Sequence, residues 1–183
     1  MVSCDLTGIP EYLLEIVREK FSALCPAVDP KKIMLAATHT HTSHTLGDPN
    51  KQNSNVENIQ DLLNQYLPEE NQYEELVKTN DEVITPIEAT EFVSTQIALA
   101  CKNAWENKAE AYYTNEFGRA VVGMCRRVHY DDGTSQMWGD TNTANFVALE
   151  GGNDSGIELI YTFDKNKNLT GVVANIACPA QIL

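Results

Sequence analysis

No stretch of the 183 residues approaches the roughly 20 consecutive apolar residues that a bilayer-spanning helix needs, so no transmembrane segment is expected. Near the amino terminus Asp5 and Pro10 interrupt any apolar run, and a secretory signal peptide is not expected there either. Positive charge is scarce. Thirteen basic against 26 acidic side chains give a net charge of −13, which argues against nucleic acid or an anionic membrane as partner. There is no C-x-x-C pair among Cys4, Cys25, Cys101, Cys125 and Cys178. An odd number of scattered cysteines fits reduced thiols and a cytoplasmic or otherwise reducing setting. Internal repeats, coiled-coil heptads and low-complexity tracts are missing too. What remains has the composition of an ordinary folded domain, 43% hydrophobic and 21% charged, and its length suits a single domain over 1–183.

Histidine is also rare, but its distribution is informative. Three of the four histidines fall in Ile33-Met34-Leu35-Ala36-Ala37-Thr38-His39-Thr40-His41-Thr42-Ser43-His44, where an apolar run of strand character meets a loop. Residues two apart on an extended segment share a face, so His39 and His41 are expected to reach one ion or one substrate. Neutral imidazole suits Zn, and a catalytic zinc site takes about three protein ligands with one position open. Thr38, Thr40 and Thr42 alternate with the imidazoles and are candidates to hydrogen-bond them.

Taken in order, Val2 to Leu6 is expected as a strand and Pro10 to about residue 24 as a helix whose face carries Leu13, Leu14, Val17, Phe21 and Leu24. Ile33 to Ala37 is the second strand, completing a βαβ unit that places the histidines at the carboxyl edge of a parallel pair. Thr42 to Glu82 holds nine carboxylates and two lysines, and as a long polar insertion beside the histidines it suits a lid or substrate wall. Within it Ile59 to Tyr66 is a candidate helix. Thr85, Pro86 and Glu88 open a second long helix, ending near Lys108, with Phe92, Ile97, Ala100, Cys101, Ala104 and Trp105 as its buried stripe. Strands are expected over 111–116, 120–124, 127–130, 158–163 and 169–177, with Asp131-Asp132-Gly133 and Asp164-Lys165-Asn166 as turns. The fold class is therefore α/β, a mixed sheet with flanking helices.

Ala37-Thr38-His39-Thr40-His41-Thr42 resembles the A-T-H-T-H-S signature of the neutral/alkaline, non-lysosomal ceramidase family, zinc-dependent amidases that cleave the fatty-acyl amide of ceramide. The likeness extends to Val2-Ser3-Cys4-Asp5-Leu6, to the block from Gly118 to Arg127, and to Gly171 through Pro179. It is closest to bacterial relatives of the ceramidase amino-terminal domain. The resemblance implies that His39 is the first zinc ligand, and that His41 beside it serves as ligand, proton carrier or oxyanion partner. Arg126 matches an arginine that contacts the substrate or intermediate. A cation there suits negative charge developing on a carbonyl oxygen. Arg126 and Arg127 are adjacent, so only one of them is expected to point inward. His44 and His129 are expected to be structural or exposed. Asp5 is a candidate to orient a histidine or to cap a turn.

The chain also departs from the family. Thr42-Ser43-His44-Thr45 stands where ceramidases have the glycine-rich turn S-G-P-G, and a late strand that leads to a second ligand histidine there runs here into Cys178-Pro179. Cys178 is a candidate thiolate ligand. The family's carboxylate and tyrosine ligands have no counterpart in these residues, so the chain is expected to be a fragment, inactive alone, of a protein that in full could be secreted. The implied activity is hydrolysis of a carbon–nitrogen bond in a small-molecule or lipid amide. Two alternatives stand beside it, a non-catalytic binding module that keeps the fold and a cysteine nucleophile at Cys178 or Cys125. Unpaired strand edges and apolar surface in a truncated sheet lead us to expect a homo-oligomer.

Overall fold

In the computed structural model, residues 1–51, 72 and 83–180 are described. The helix expected at Ile59 to Tyr66 and most of the acidic insertion lie outside the described residues. The chain is α/β and divides into two compact units, Met1–Asn107 with Ala180–Leu183, and Lys108–Pro179.

The first unit opens with the βαβ unit. Strand β1 (Val2–Cys4) pairs in parallel with β2 (Leu35–Ala37) in the register Val2↔Leu35, Ser3↔Ala36, Cys4↔Ala37. Helix α1 (Glu11–Leu24) connects them and starts directly after Pro10, whose φ of −68° suits a helix entry. It ends where the Cys25 N–H bonds the Phe21 carbonyl and Pro26 forbids continuation. Its buried residues are Leu13, Val17 and Phe21, four apart, so one narrow stripe faces inward and Leu24 lies outside it. Each such burial stabilises by roughly 1.5–3 kcal/mol.

Helix α2 (Pro86–Glu106) packs against α1. A capping box closes its start. The Thr85 hydroxyl accepts from the Glu88 N–H at 3.2 Å, and the Glu88 carboxylate accepts from the Thr85 N–H at 2.7 Å. Its buried face corrects the expected stripe. Ala89, Thr90, Ser94, Ile97 and Ala98 are buried, whereas Phe92 is 55% and Trp105 43% exposed. Small side chains let the two helix backbones approach closely, and that selection outweighs the larger but rotated aromatic positions. Lys20 of α1 reaches across to the Glu91 carboxylate and to the Thr95 hydroxyl. The core gathers Cys4, Leu6, Leu13, Val17 and Ile97, with Phe21, Cys25 and Ala98 beside them.

The second unit holds two antiparallel sheets. Strands β3 (Tyr112–Arg119), β7 (Gly156–Phe163) and β8 (Leu169–Ile176) run in the order β3-β7-β8. Strands β4 (Arg127–Tyr130), β5 (Ser135–Met137) and β6 (Phe146–Leu149) run in the order β5-β4-β6. Parallel and antiparallel pairing are thus both present, distributed over three sheets among the described residues. Gly133, at φ +81°, supplies the left-handed position of the β4–β5 turn. The strand expected at 120–124 is absent. Val121 is 85% and Met124 69% exposed, and Gly123 sits so close to the Asn153 side chain and the Ala177 carbonyl that a Cβ would meet them at 2.7 and 2.9 Å. Apolar residues alone do not make a strand where the backbone has no ladder partner.

Candidate functional site

The parallel register brings the carboxyl ends of β1 and β2 side by side, so the residues that follow each strand become neighbours. Past β2, the Thr38 N–H donates to the Cys4 carbonyl and the His39 N–H to the Leu6 carbonyl, both at 3.0 Å. The Thr7 hydroxyl donates to the Thr40 carbonyl at 2.9 Å. The Thr38 hydroxyl donates to Asp5, and the Thr38 carbonyl accepts from the Ala180 N–H. At its far end the loop is anchored by Gly47. The Thr90 hydroxyl, fully buried in α2, donates to the Gly47 carbonyl at 2.8 Å, and the Gly47 N–H donates to the Pro86 carbonyl at 3.0 Å.

Between these anchors His39 adopts φ +63°, a left-handed conformation that costs a side-chain-bearing residue energy. This corrects the expected origin of the histidine pair. β2 ends at Ala37, so strand alternation does not align His39 and His41. A left-handed turn does. The two rings meet edge to face with centroids 4.9 Å apart, and their Nε2 atoms are 3.3 Å apart.

The His39 Nδ1–H donates to the Thr7 carbonyl. Because a carbonyl only accepts, this bond places the proton on Nδ1 and leaves the His39 Nε2 to accept from the His41 Nε2–H. A backbone carbonyl on the far nitrogen is the usual way a metal-binding imidazole is oriented. Thr38 and Thr40 spend their hydroxyls elsewhere, on Asp5 and on Thr42. Sequence reasoning missed Thr7. The signal for it was the parallel pairing itself, which sets the turn after β1 against the loop after β2.

Two zinc–nitrogen bonds of about 2.0–2.1 Å at the tetrahedral angle put the nitrogens about 3.3–3.4 Å apart. The His39–His41 separation fits that spacing. Among the described residues no group of three or more His, Cys, Asp or Glu is placed to hold a metal ion. His44 is exposed in the same loop.

Arg126 belongs to the second unit, where its guanidinium lies 4.6 Å over the Trp138 ring and its carbonyl accepts the Trp138 N–H at 2.9 Å. Arg127 pairs with Glu150 at 2.9 Å, and both arginines are exposed. His129 lies on β4, 3.3 Å from the Ser135 hydroxyl. All five cysteines are free. The Cys178 thiol donates to the Val122 carbonyl at 3.1 Å and the Cys125 thiol to the Arg127 carbonyl. Burial pushes the Cys4 and Cys101 thiols up from their ordinary value. No family model, no curated protein and no solved structure matches the chain.

Proposed function

We propose that this chain is part of a ceramidase-like, zinc-dependent hydrolase of a carbon–nitrogen bond, acting on a small-molecule or lipid amide. The observation that carries the reading is the His39–His41 pair, with Nε2 atoms 3.3 Å apart and the His39 Nδ1–H held by the Thr7 carbonyl. His39 and His41 are the metal ligands, with the remaining ligands drawn from outside the described residues. A bound zinc ion would supply Lewis acidity to polarise the amide carbonyl. As the alternative to ligating the metal, His41, the more exposed of the pair, would carry a proton toward the leaving amine. Five free thiols support a reducing, cytoplasmic setting, and exposed apolar sheet surface supports a homo-oligomer.

The second reading, a binding module without catalysis, draws on Thr42-Ser43-His44-Thr45 standing where the family has a glycine-rich turn, and on the acidic insertion that follows. Titration calorimetry with zinc under reducing conditions, on wild type and on the His39→Ala, His41→Ala double variant, is the deciding experiment. One equivalent bound by wild type and lost in the double variant is the expected result. Cobalt spectra then separate nitrogen from thiolate ligation, because thiolates add intense charge-transfer bands. Equal binding by both proteins overturns the metal site. Zinc binding by this chain with no release of fatty acid from N-acyl amides by a longer form of the protein selects the binding module.

A further inference from the structure

We propose that Thr7, in the turn after β1, is the positioning residue of the histidine pair, its carbonyl setting the ring of His39 and its hydroxyl setting the peptide that carries His41; this deepens the metal-binding reading above and rests on it for what the paired rings do. The Thr7 carbonyl accepts the His39 Nδ1–H, and the Thr7 hydroxyl donates to the Thr40 carbonyl at 2.9 Å. One residue thus holds the left-handed turn on both sides. A peptide unit is planar, so the Thr40 carbonyl and the His41 N–H and Cα move together. Holding that oxygen fixes the direction in which His41 leaves the turn. With the His39 N–H donating to the Leu6 carbonyl at 3.0 Å, the Leu6–Thr7 segment grips the loop at three points.

The threonines inside the loop are engaged differently. The Thr38 hydroxyl donates to Asp5, and the Thr40 and Thr42 hydroxyls lie 3.0 Å apart. A φ of +63° at His39 persists only while the surroundings hold it. Threonine suits that task, because its β-branched side chain is stiff at χ1 and gives up little rotamer freedom when the hydroxyl is held. Thr7 is itself exposed, so a substitution there opens no cavity in the core. Its two contributions also come apart. The carbonyl belongs to the main chain and survives substitution, whereas the hydroxyl is lost in valine, which has the same shape, and kept in serine. Without the hydroxyl, His39 keeps its proton on Nδ1 while the Thr40–His41 peptide is released, and His41 drifts from the 4.9 Å ring contact.

The test pairs zinc calorimetry with nuclear magnetic resonance of the metal-free protein, on wild type, Thr7→Val and Thr7→Ser. Long-range proton–nitrogen correlations read which ring nitrogen of His39 carries the proton, and a nuclear Overhauser contact reads the closeness of the two rings. Thr7→Val is expected to keep the Nδ1 proton, lose the contact between the rings and bind zinc roughly 2- to 12-fold more weakly, the range for one lost hydrogen bond. Thr7→Ser is expected to restore both contact and affinity. Urea denaturation runs alongside, because a hydroxyl that only stabilises the fold lowers the midpoint and leaves contact and affinity unchanged. That result overturns the inference, as does a loss that serine does not restore, a zinc affinity that stays constant when the contact is lost, or a wild-type His39 with its proton on Nε2. If wild type binds no zinc while the ring contact follows the hydroxyl, the metal-site reading falls and the placement by Thr7 stands. If wild type binds zinc and the contact ignores the hydroxyl, only the assignment of Thr7 falls.

Discussion

His39 carries two demands that are separable by substitution. Its ring is oriented by the Thr7 carbonyl, and its backbone is held at φ +63° by bonds from the loop to Cys4, Leu6 and Thr7. Both His39→Gly and His39→Val remove the ring, so both lose its hydrogen bond and any metal affinity it gives. They differ in the backbone. Glycine accepts the left-handed region freely, whereas a β-branched residue there is strained, so the valine variant is expected to be about 1–2 kcal/mol less stable than the glycine variant. Urea denaturation of the two reads the difference directly. Equal stabilities would mean that the loop relaxes out of the left-handed turn, and the ring convergence would then need another cause. In the sequence, the H-x-H spacing did point to two neighbouring rings. The left-handed turn was not legible, because histidine gives no backbone signal of the kind glycine gives at Gly133.

At the scale of elements, helix α2 owes its start to a few side chains, and these make its stability depend on pH. Hydrogen bonds from the Thr85 backbone N–H and side chain hold the Glu88 carboxyl below its ordinary value of 4.5. A hydrogen bond and the charge of Lys20 do the same for Glu91. A carboxyl whose folded pKa is depressed adds stability that is fully present above its unfolded value and is lost as pH falls through the folded one. Thr85→Ala is expected to cost about 1 kcal/mol at neutral pH. The gap to wild type should narrow as pH falls below 4.5, as Glu88 protonates in both proteins. Urea denaturation followed by far-ultraviolet circular dichroism near neutrality and in acid checks both points; a gap that widens in acid would contradict the capping-box account. This cap was legible, since Thr85-Pro86-Ile87-Glu88 carries its own local chemistry. The buried stripe was legible only at Ile97, which is buried, and at Cys101, which packs against the core. Phe92 and Trp105 suggested a large-residue face, but close packing on α1 selected Ala89, Ser94 and Ala98. Strands β5 and β6 escaped because three- and four-residue strands in turn-rich sequence have too few positions to show alternation.

For the molecule as a whole, the balance lies between exposed apolar surface and net charge. In the β3-β7-β8 register Tyr112 stands opposite Phe163, Val172 opposite Tyr161, Ile176 opposite Ile157 and Glu116 opposite Leu159, so these side chains share one largely apolar face that carries one carboxylate. Tyr112 is 56%, Val172 50% and Ile176 40% exposed, so nothing covers that face fully. Three eight-residue strands present a surface about 27 Å long and about 14 Å wide, roughly 400 Å². A second copy offers the same face, with Glu116 adding to the repulsion that opposes pairing, and two twisted sheets pack well with their faces aligned. This area is about half the ~800 Å² per partner of a standard interface, so it supports a reversible dimer with a Kd in the micromolar range or weaker. Charge opposes it, because each chain carries −13. Salt screens that repulsion without weakening apolar contact, so the dimer is expected to tighten as ionic strength rises, the reverse of an interface held by ion pairs. Sedimentation velocity at low and high salt, on wild type and Val172→Glu, reads the effect. The glutamate variant is expected to stay monomeric at both. Dimers that dissociate in salt, or that Val172→Glu leaves intact, would move the contact off this sheet, and a wild type that is monomeric throughout would mean that repulsion and side-chain ordering outweigh an apolar face of this size.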